Sequence, residues 1–154
     1  MSQPVREKED LIKLAIEREI RAYDFFNDAV DRMSYKGTKE MLRALAMEEQ
    51  RHREMLERAL KEEVVEHIGT DPSPMDFKIG DALLVPELTQ ESTPQDLMIV
   101  AMKLEEASVA FYQAILPHFR GSGFEDLISR LVREEQKHKE RLEKEYDDHF
   151  LSEM

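Results

Sequence analysis

Two glutamate–histidine pairs carry the chemistry open to this sequence. Glu49 stands three residues before His52 and Glu135 three before His138, and residues so spaced share one helix face, as two ligands of one metal would. One such pair alone is weak. With five His and about one residue in seven a Glu, chance supplies roughly 0.7 of them. Here the surroundings repeat as well. Glu48-Glu49-Gln50-Arg51-His52 returns as Glu134-Glu135-Gln136-Lys137-His138. The same offset of 86 residues superposes Asp10 on Asp96, Leu11 on Leu97, Ala15 on Ala101, Glu19 on Glu105, Phe25 on Phe111 and Gly37 on Gly123 without a gap. An internal duplication is the economical reading.

Four helices must position these residues. From Val5 to about Met33 apolar side chains recur at helical spacing (Ile12, Ile16, Tyr23, Phe26, Val30, Met33), and Glu19 falls on their stripe. Gly37 allows a turn. Thr38 is then the expected N-cap of a second helix running through Leu42, Leu45, Leu56 and Leu60 to Gly69, with Glu49 and His52 facing inward. Pro72, Pro74, Gly80 and Pro86 break the period, so residues 70–93 read as a long crossover. Thr93-Pro94-Gln95-Asp96 signals the third helix, with Thr93 as N-cap and Pro94 at its first position. That helix carries Ala101, Glu105, Ser108, Tyr112 and Ile115 on one side and stops near Pro117 to Arg120. Ser122 and Glu125 predict a capping box opening a fourth helix, whose stripe holds Leu127, Leu131, Glu135, His138, Leu142 and Tyr146.

The expected fold is therefore all-α: a four-helix bundle made of two duplicated helical hairpins joined by one long crossover, the ferritin-like connectivity. A single domain is expected over residues 1–154, with repeat one at about 5–69 and repeat two at about 94–150.

Glu19, Glu49, Glu105, Glu135, His52 and His138 all occupy positions the helical period assigns to the core. Burying one unpaired carboxylate costs several kcal/mol, and four would erase the stability of a small domain. No Lys or Arg shares those stripes near the helix midpoints, so two divalent cations are the natural counter-charge. Two nitrogens among many oxygens suit iron or manganese better than a structural zinc site. This is the ligand arrangement known for ferritin-like di-iron and di-manganese carboxylate proteins.

The chain resembles the rubrerythrin branch of that superfamily. The resemblance is carried by Ala15-Ile16-Glu17-Arg18-Glu19 with Ala22 and Phe25-Phe26, by Glu48-Glu49-Gln50-Arg51-His52, by Glu105 with Phe111-Tyr112, and by Glu134-Glu135-Gln136-Lys137-His138. It implies that Glu19 and Glu105 are terminal ligands, that Glu49 and Glu135 bridge the metals, and that His52 and His138 each cap one. It also implies two bound Fe ions that reduce hydrogen peroxide, with electrons arriving from rubredoxin. Two departures matter. Rubrerythrins carry a rubredoxin-like domain built on four Cys, and this chain has none, so its donor is expected to be a separate protein. They also place a further Glu one turn after the third-helix ligand, where this chain has Ser108. The remaining six ligands are closer to the bacterioferritin set, which keeps ferroxidation and iron storage open beside reduction of H2O2 or O2.

Other residues receive plainer readings. Glu17 competes with Glu19, but its repeat partner is Lys103; Glu106 competes with Glu105, but its partner is Ile20. Glu48 and Glu134, roughly 100° around the helix from the ligands, are expected on a solvated or interface face. His67, His118 and His149 have no counterpart at the offset and are expected on the surface. Phe25, Phe26, Phe111 and Leu142 read as packing. Tyr23 and Tyr112 are expected to hydrogen-bond ligand carboxylates.

Composition narrows partners. A net charge of −12 disfavours nucleic acid and anionic membranes. Absent cysteine excludes disulfides, iron–sulfur clusters and thiolate metal sites within the chain. No segment has the ~18 apolar residues of a membrane span and no signal core opens the sequence, so a cytoplasmic location is the default expectation. Homodimerisation, with exchange of helix pairs through the middle link, is expected for so small a bundle. The remaining rival is a metal-free interaction module working through its acidic surface.

Overall fold

The computed structural model describes residues 4–63 and 88–151. Four α-helices account for most of them: α1 (Pro4–Val30), α2 (Lys36–Glu63), α3 (Pro94–Ile115) and α4 (Glu125–His149), with a 3-10 turn at Leu116–Phe119. No strand occurs among the described residues. Helix α1 lies chiefly along α2 and α3 along α4, and the two hairpins close on each other through α1 with α3 and α2 with α4. This is the ferritin-like bundle that the spacing predicts.

The interior is two apolar clusters with a polar layer between them. One cluster gathers Phe25, Phe26 and Val30 of α1, Leu42 and Leu45 of α2, Leu97 and Met98 of α3, and Leu142 of α4. The other gathers Leu11 and Ile12 of α1, Leu56 of α2, Phe111 and Ile115 of α3, and Ile128 and Leu131 of α4. Burying each large side chain favours folding by about 1.5–3 kcal/mol, so both ends grip the layer firmly. The order in which each helix meets the clusters fixes its direction: α1 and α4 run one way, α2 and α3 the other. The last described turn of α2 and the first turn of α3 therefore sit at opposite ends of the bundle. The predicted crossover falls mainly on residues 64–87, which with Gly69 and His67 lie outside the described residues.

Capping is partly as expected. Thr93 and Asp96 form a reciprocal box, with Asp96 N–H donating to Thr93 Oγ1 at 3.0 Å and Thr93 N–H to Asp96 Oδ2 at 2.9 Å. The preceding loop is tied back by Arg32, which donates to the carbonyls of Thr89 and Ser92 at 2.6 and 3.1 Å. Thr38 is not an N-cap. Helix α2 starts earlier, Lys39 N–H already bonding the Tyr35 carbonyl, so Gly37 sits in the first turn and the Thr38 hydroxyl is free to donate to the Glu145 carboxylate of α4. The Ser122–Glu125 box does not form either. Gly121 turns with φ +80, which brings its own N–H to Glu125 Oε1 at 3.0 Å, while the Ser122 hydroxyl donates back to the Phe119 carbonyl at 2.6 Å. Helix α1 ends at Val30 rather than Met33, and Met33 remains buried just beyond it.

Candidate metal centre

The polar layer contains the six residues that the duplication singles out. Glu19 comes from α1, Glu49 and His52 from α2, Glu105 from α3, Glu135 and His138 from α4, and none is more than 2% exposed. Each sits where an apolar side chain would continue its helix's stripe, so the backbone that builds the two clusters also points these groups at one another. Glu17 and Glu106, the competing acids, are exposed. His118 is partly buried and His149 exposed.

Among the described residues two sets of four potential ligand atoms emerge, each set lying within 4.8 Å: Glu19, Glu49, His52 and Glu135 in one, and Glu49, Glu105, Glu135 and His138 in the other. Glu49 and Glu135 belong to both. His52 Nδ1 is 2.9 Å from Glu135 Oε1, 3.6 Å from Glu19 Oε2 and 3.7 Å from Glu49 Oε1. His138 Nδ1 mirrors it, 3.0 Å from Glu49 Oε1 and 3.6 Å from both Glu105 Oε2 and Glu135 Oε2. The imidazoles stack at 5.6 Å with 11° between planes.

Protein groups alone do not satisfy this layer. Both oxygens of Glu49, one each of Glu19, Glu105 and Glu135, and both nitrogens of His138 are buried with no well-aligned hydrogen bond. Such atoms are expensive unless something else meets them. The electrostatics say the same. Burial, then repulsion from Glu135, Glu19 and Glu105, raises the Glu49 pKa well above the usual carboxylate range. Burial and Glu135 do likewise to Glu105. Burial opposes charge on His52 and His138, yet bonds and charges from the surrounding glutamates outweigh it and push them to about 11 and about 10. For Glu135 burial is overcome by its bonds to Glu105, His138 and His52, and its pKa falls. Without a cation the cluster must hold protons; oxygen-rich ligand atoms in two sets fit a pair of divalent transition metals.

Glu48 and Glu134 depart from the solvated or interface face expected of them. Glu48 and Glu134 do not face away from the cluster but reach across the bundle to the outer nitrogen of the other repeat's histidine. Glu134 Oε1 is 2.8 Å from His52 Nε2, and Arg130 Nε steadies the other oxygen at 2.6 Å. Glu48 Oε2 is 3.2 Å from His138 Nε2 and accepts from Arg141 at 3.1 Å. Side chains one position off the inward stripe can reach an imidazole on the neighbouring helix, which a single-helix projection does not reveal. The signal available was their own duplication, Glu48 matching Glu134.

The tyrosines divide. Tyr112 is fully buried and donates to Glu19 Oε1 at 2.7 Å, as expected. Tyr23 is only partly buried and packs against the apolar cluster instead, making no hydrogen bond among the described residues, because its position faces the boundary of α1 and not the layer. At the offset Tyr112 matches Phe26, so the two half-sites differ: the phenol serves Glu19 alone. Ser108 is buried and accepts from Arg18 at 3.1 Å.

The rubrerythrin family model matches residues 3–61. Among curated proteins no sequence match is significant. Two solved structures share the fold. A hypothetical protein from Pyrococcus furiosus superposes with a TM-score of 0.67 at 27% identity, covering 91% of this chain and 88% of its own. The bacterioferritin-related protein from Bacteroides fragilis, described as a dodecameric thioferritin, gives 0.71 at 17% identity over 96% and 92%. The resemblance to rubrerythrins and the ferritin-like fold are both borne out.

Proposed function

We infer from this rubrerythrin-like, ferritin-like architecture that the chain binds two iron ions and works as a di-iron carboxylate oxidoreductase that reduces hydrogen peroxide or O2. The observation that carries the reading is the pair of four-residue sets sharing Glu49 and Glu135. In this reading Glu49 and Glu135 would serve both metals, Glu19 with His52 would hold one, and Glu105 with His138 would hold the other. The chemistry the metal pair supplies is two electrons, one from each Fe2+, to an O–O bond. The protein's own part is electrostatic and steric. Four carboxylates would offset the charge of two divalent ions, Glu134 holds the His52 imidazole through Nε2 while Glu48 places its charge 3.2 Å from His138 Nε2, and the apolar clusters above and below keep bulk water out. The Tyr112 hydroxyl holds a proton at Glu19 Oε1, beside the layer. Electrons would come from a donor such as rubredoxin. Manganese is the alternative metal.

A second reading, ferroxidation feeding iron storage, is favoured by Ser108, which engages Arg18 where a further carboxylate would add a ligand. Anaerobic Fe2+ titration should saturate at two per chain, followed by rapid oxidation of both by peroxide. Saturation at one, or oxidation no faster than that of free iron, defeats both readings. Faster oxidation by O2 than by peroxide, with a native mass far above the expected homodimer, selects storage.

A further inference from the structure

On the outer side of the histidine pair, between α2 and α4, lies an open cleft of about 310 Å³ floored by His138. Its walls carry Arg51, Arg130, Lys137 and Arg141 against two acids, Glu48 and Glu134. The excess is two positive charges, in a chain whose net charge is −12. Charge-laced helix faces are ordinary, and neutralising the two glutamates would explain two of these cations. It does not explain four. Nor does the duplication: Arg51 matches Lys137 at the offset, but Arg130 and Arg141 match Ala44 and Met55, so the second repeat carries two cations on this wall that the first lacks.

The donors also remain largely unspent. Glu134 takes Nε of Arg130, and Glu48 takes one terminal nitrogen of Arg141, with Arg51 3.6 Å away. Each guanidinium presents five N–H groups, of which these contacts engage one on Arg130 and one on Arg141, and Lys137 makes no hydrogen bond or ion pair among the described residues. The glutamates cannot act as ligands here, since the histidines and arginines occupy them. Forked guanidinium donors and one ammonium around a small open volume match a tetrahedral anion of two charges, and the cleft exceeds several times the ~30 Å³ share of one water.

We propose that this cleft is a binding site for a small divalent oxyanion of the phosphate class, seated outside the histidine pair. The site is independent of the metal reading, so it is tested on the full chain after chelator treatment, where failure of metal binding has no bearing. Calorimetric titration with inorganic phosphate at pH 7.5 should reveal one saturable site per chain, with chloride a poor competitor and sulfate a good one. Lys137→Glu and Arg51→Glu should each weaken phosphate at least about tenfold, the loss of one charge-assisted hydrogen bond. Lys103→Glu, the same charge change on an exposed residue outside the cleft, should alter it less than about twofold. Lys137→Met provides the same test without a new acid should a charge reversal fail to fold. Glycerol 3-phosphate separates the sources: tighter binding than inorganic phosphate supports the site with a phosphoester as occupant, equal binding supports it with the free ion. Absence of saturable binding, or equal weakening by Lys103→Glu, overturns the proposal.

Discussion

Glu134→Ala tests how much of the centre is held from outside its inner ring. In the wild type His52 is wholly buried, and its Nε2 meets Glu134 Oε1 at 2.8 Å. Burial tends to raise the Glu134 pKa, but its bonds to Arg130 and His52 prevail and hold it below the usual carboxylate range, so it is ionised at neutral pH. A charge-assisted hydrogen bond of this kind contributes about 1.5–3 kcal/mol, equivalent to roughly 10–100-fold in a binding constant. That range agrees with the usual cost of removing a carboxylate partner from a metal-bound imidazole, about 10–100-fold. The expected result is therefore loss of about one to two decades in affinity for one metal of the pair, the one His52 serves. Glu134→Gln, which keeps an oxygen acceptor and loses the charge, should fall between. Arg130→Met removes the steadying partner only; that pair is half exposed and worth about 0.2–1 kcal/mol, so less than about sixfold is expected. Anaerobic Co2+ titration against a competing chelator, followed by visible absorbance, reads both affinities separately. Unchanged affinities in Glu134→Ala, with helicity intact, or equal effects of Glu134→Ala and Arg130→Met, would refute the reasoning.

Four further outcomes are expected. The surrounding glutamates push the His52 and His138 pKa values to about 11 and about 10, so both carry protons in the metal-free fold and metal loading at pH 7.5 should release protons, measurable by calorimetry in buffers of different ionisation enthalpy. The sign for stability follows: a raised histidine pKa stabilises the metal-free fold fully below about pH 6.5, the unfolded value, and progressively less up to about 10–11. Raised Glu49 and Glu105 act in the same direction, so the Tm of the metal-free chain should fall between pH 7 and 10; a rise would contradict the protonated cluster. Tyr112→Phe strands Glu19 Oε1 in the layer and should cost the metal-free protein about 1–3 kcal/mol in urea unfolding, an effect absent if that bond is dispensable. Thr38→Val should cost about 1–2 kcal/mol by the same measurement, and in a Glu145→Ala background should cost little; equal costs in both backgrounds would mean that the α2–α4 bond is not what the hydroxyl provides.

Much of this arrangement was legible from the chain alone because buried acids violate the apolar stripe at four places, and the violations recur at one offset. Periodicity supplied the helices, and periodicity broken supplied the centre. What escaped notice depends on neighbours in space. Thr38 and Ser122 look like caps in isolation, yet Glu145 of another helix and the turn at Gly121 decide where their hydroxyls bond. Glu48 and Glu134 project off the stripe, and only the approach of α2 to α4 turns them toward the histidines. Tyr23 and Tyr112 had equal standing by spacing, but only one of them points into the layer.

The sharing of Glu49 and Glu135 between the two sets has a historical corollary. Each hairpin owns three residues of one quartet and one of the other, so neither quartet is complete without a residue from the opposite hairpin. An ancestor of half this length could have assembled a working centre only by pairing with its own twin. On the duplication reading, the phenol at 112 opposite phenylalanine at 26 is a divergence between the two copies, which leaves the two half-sites inequivalent.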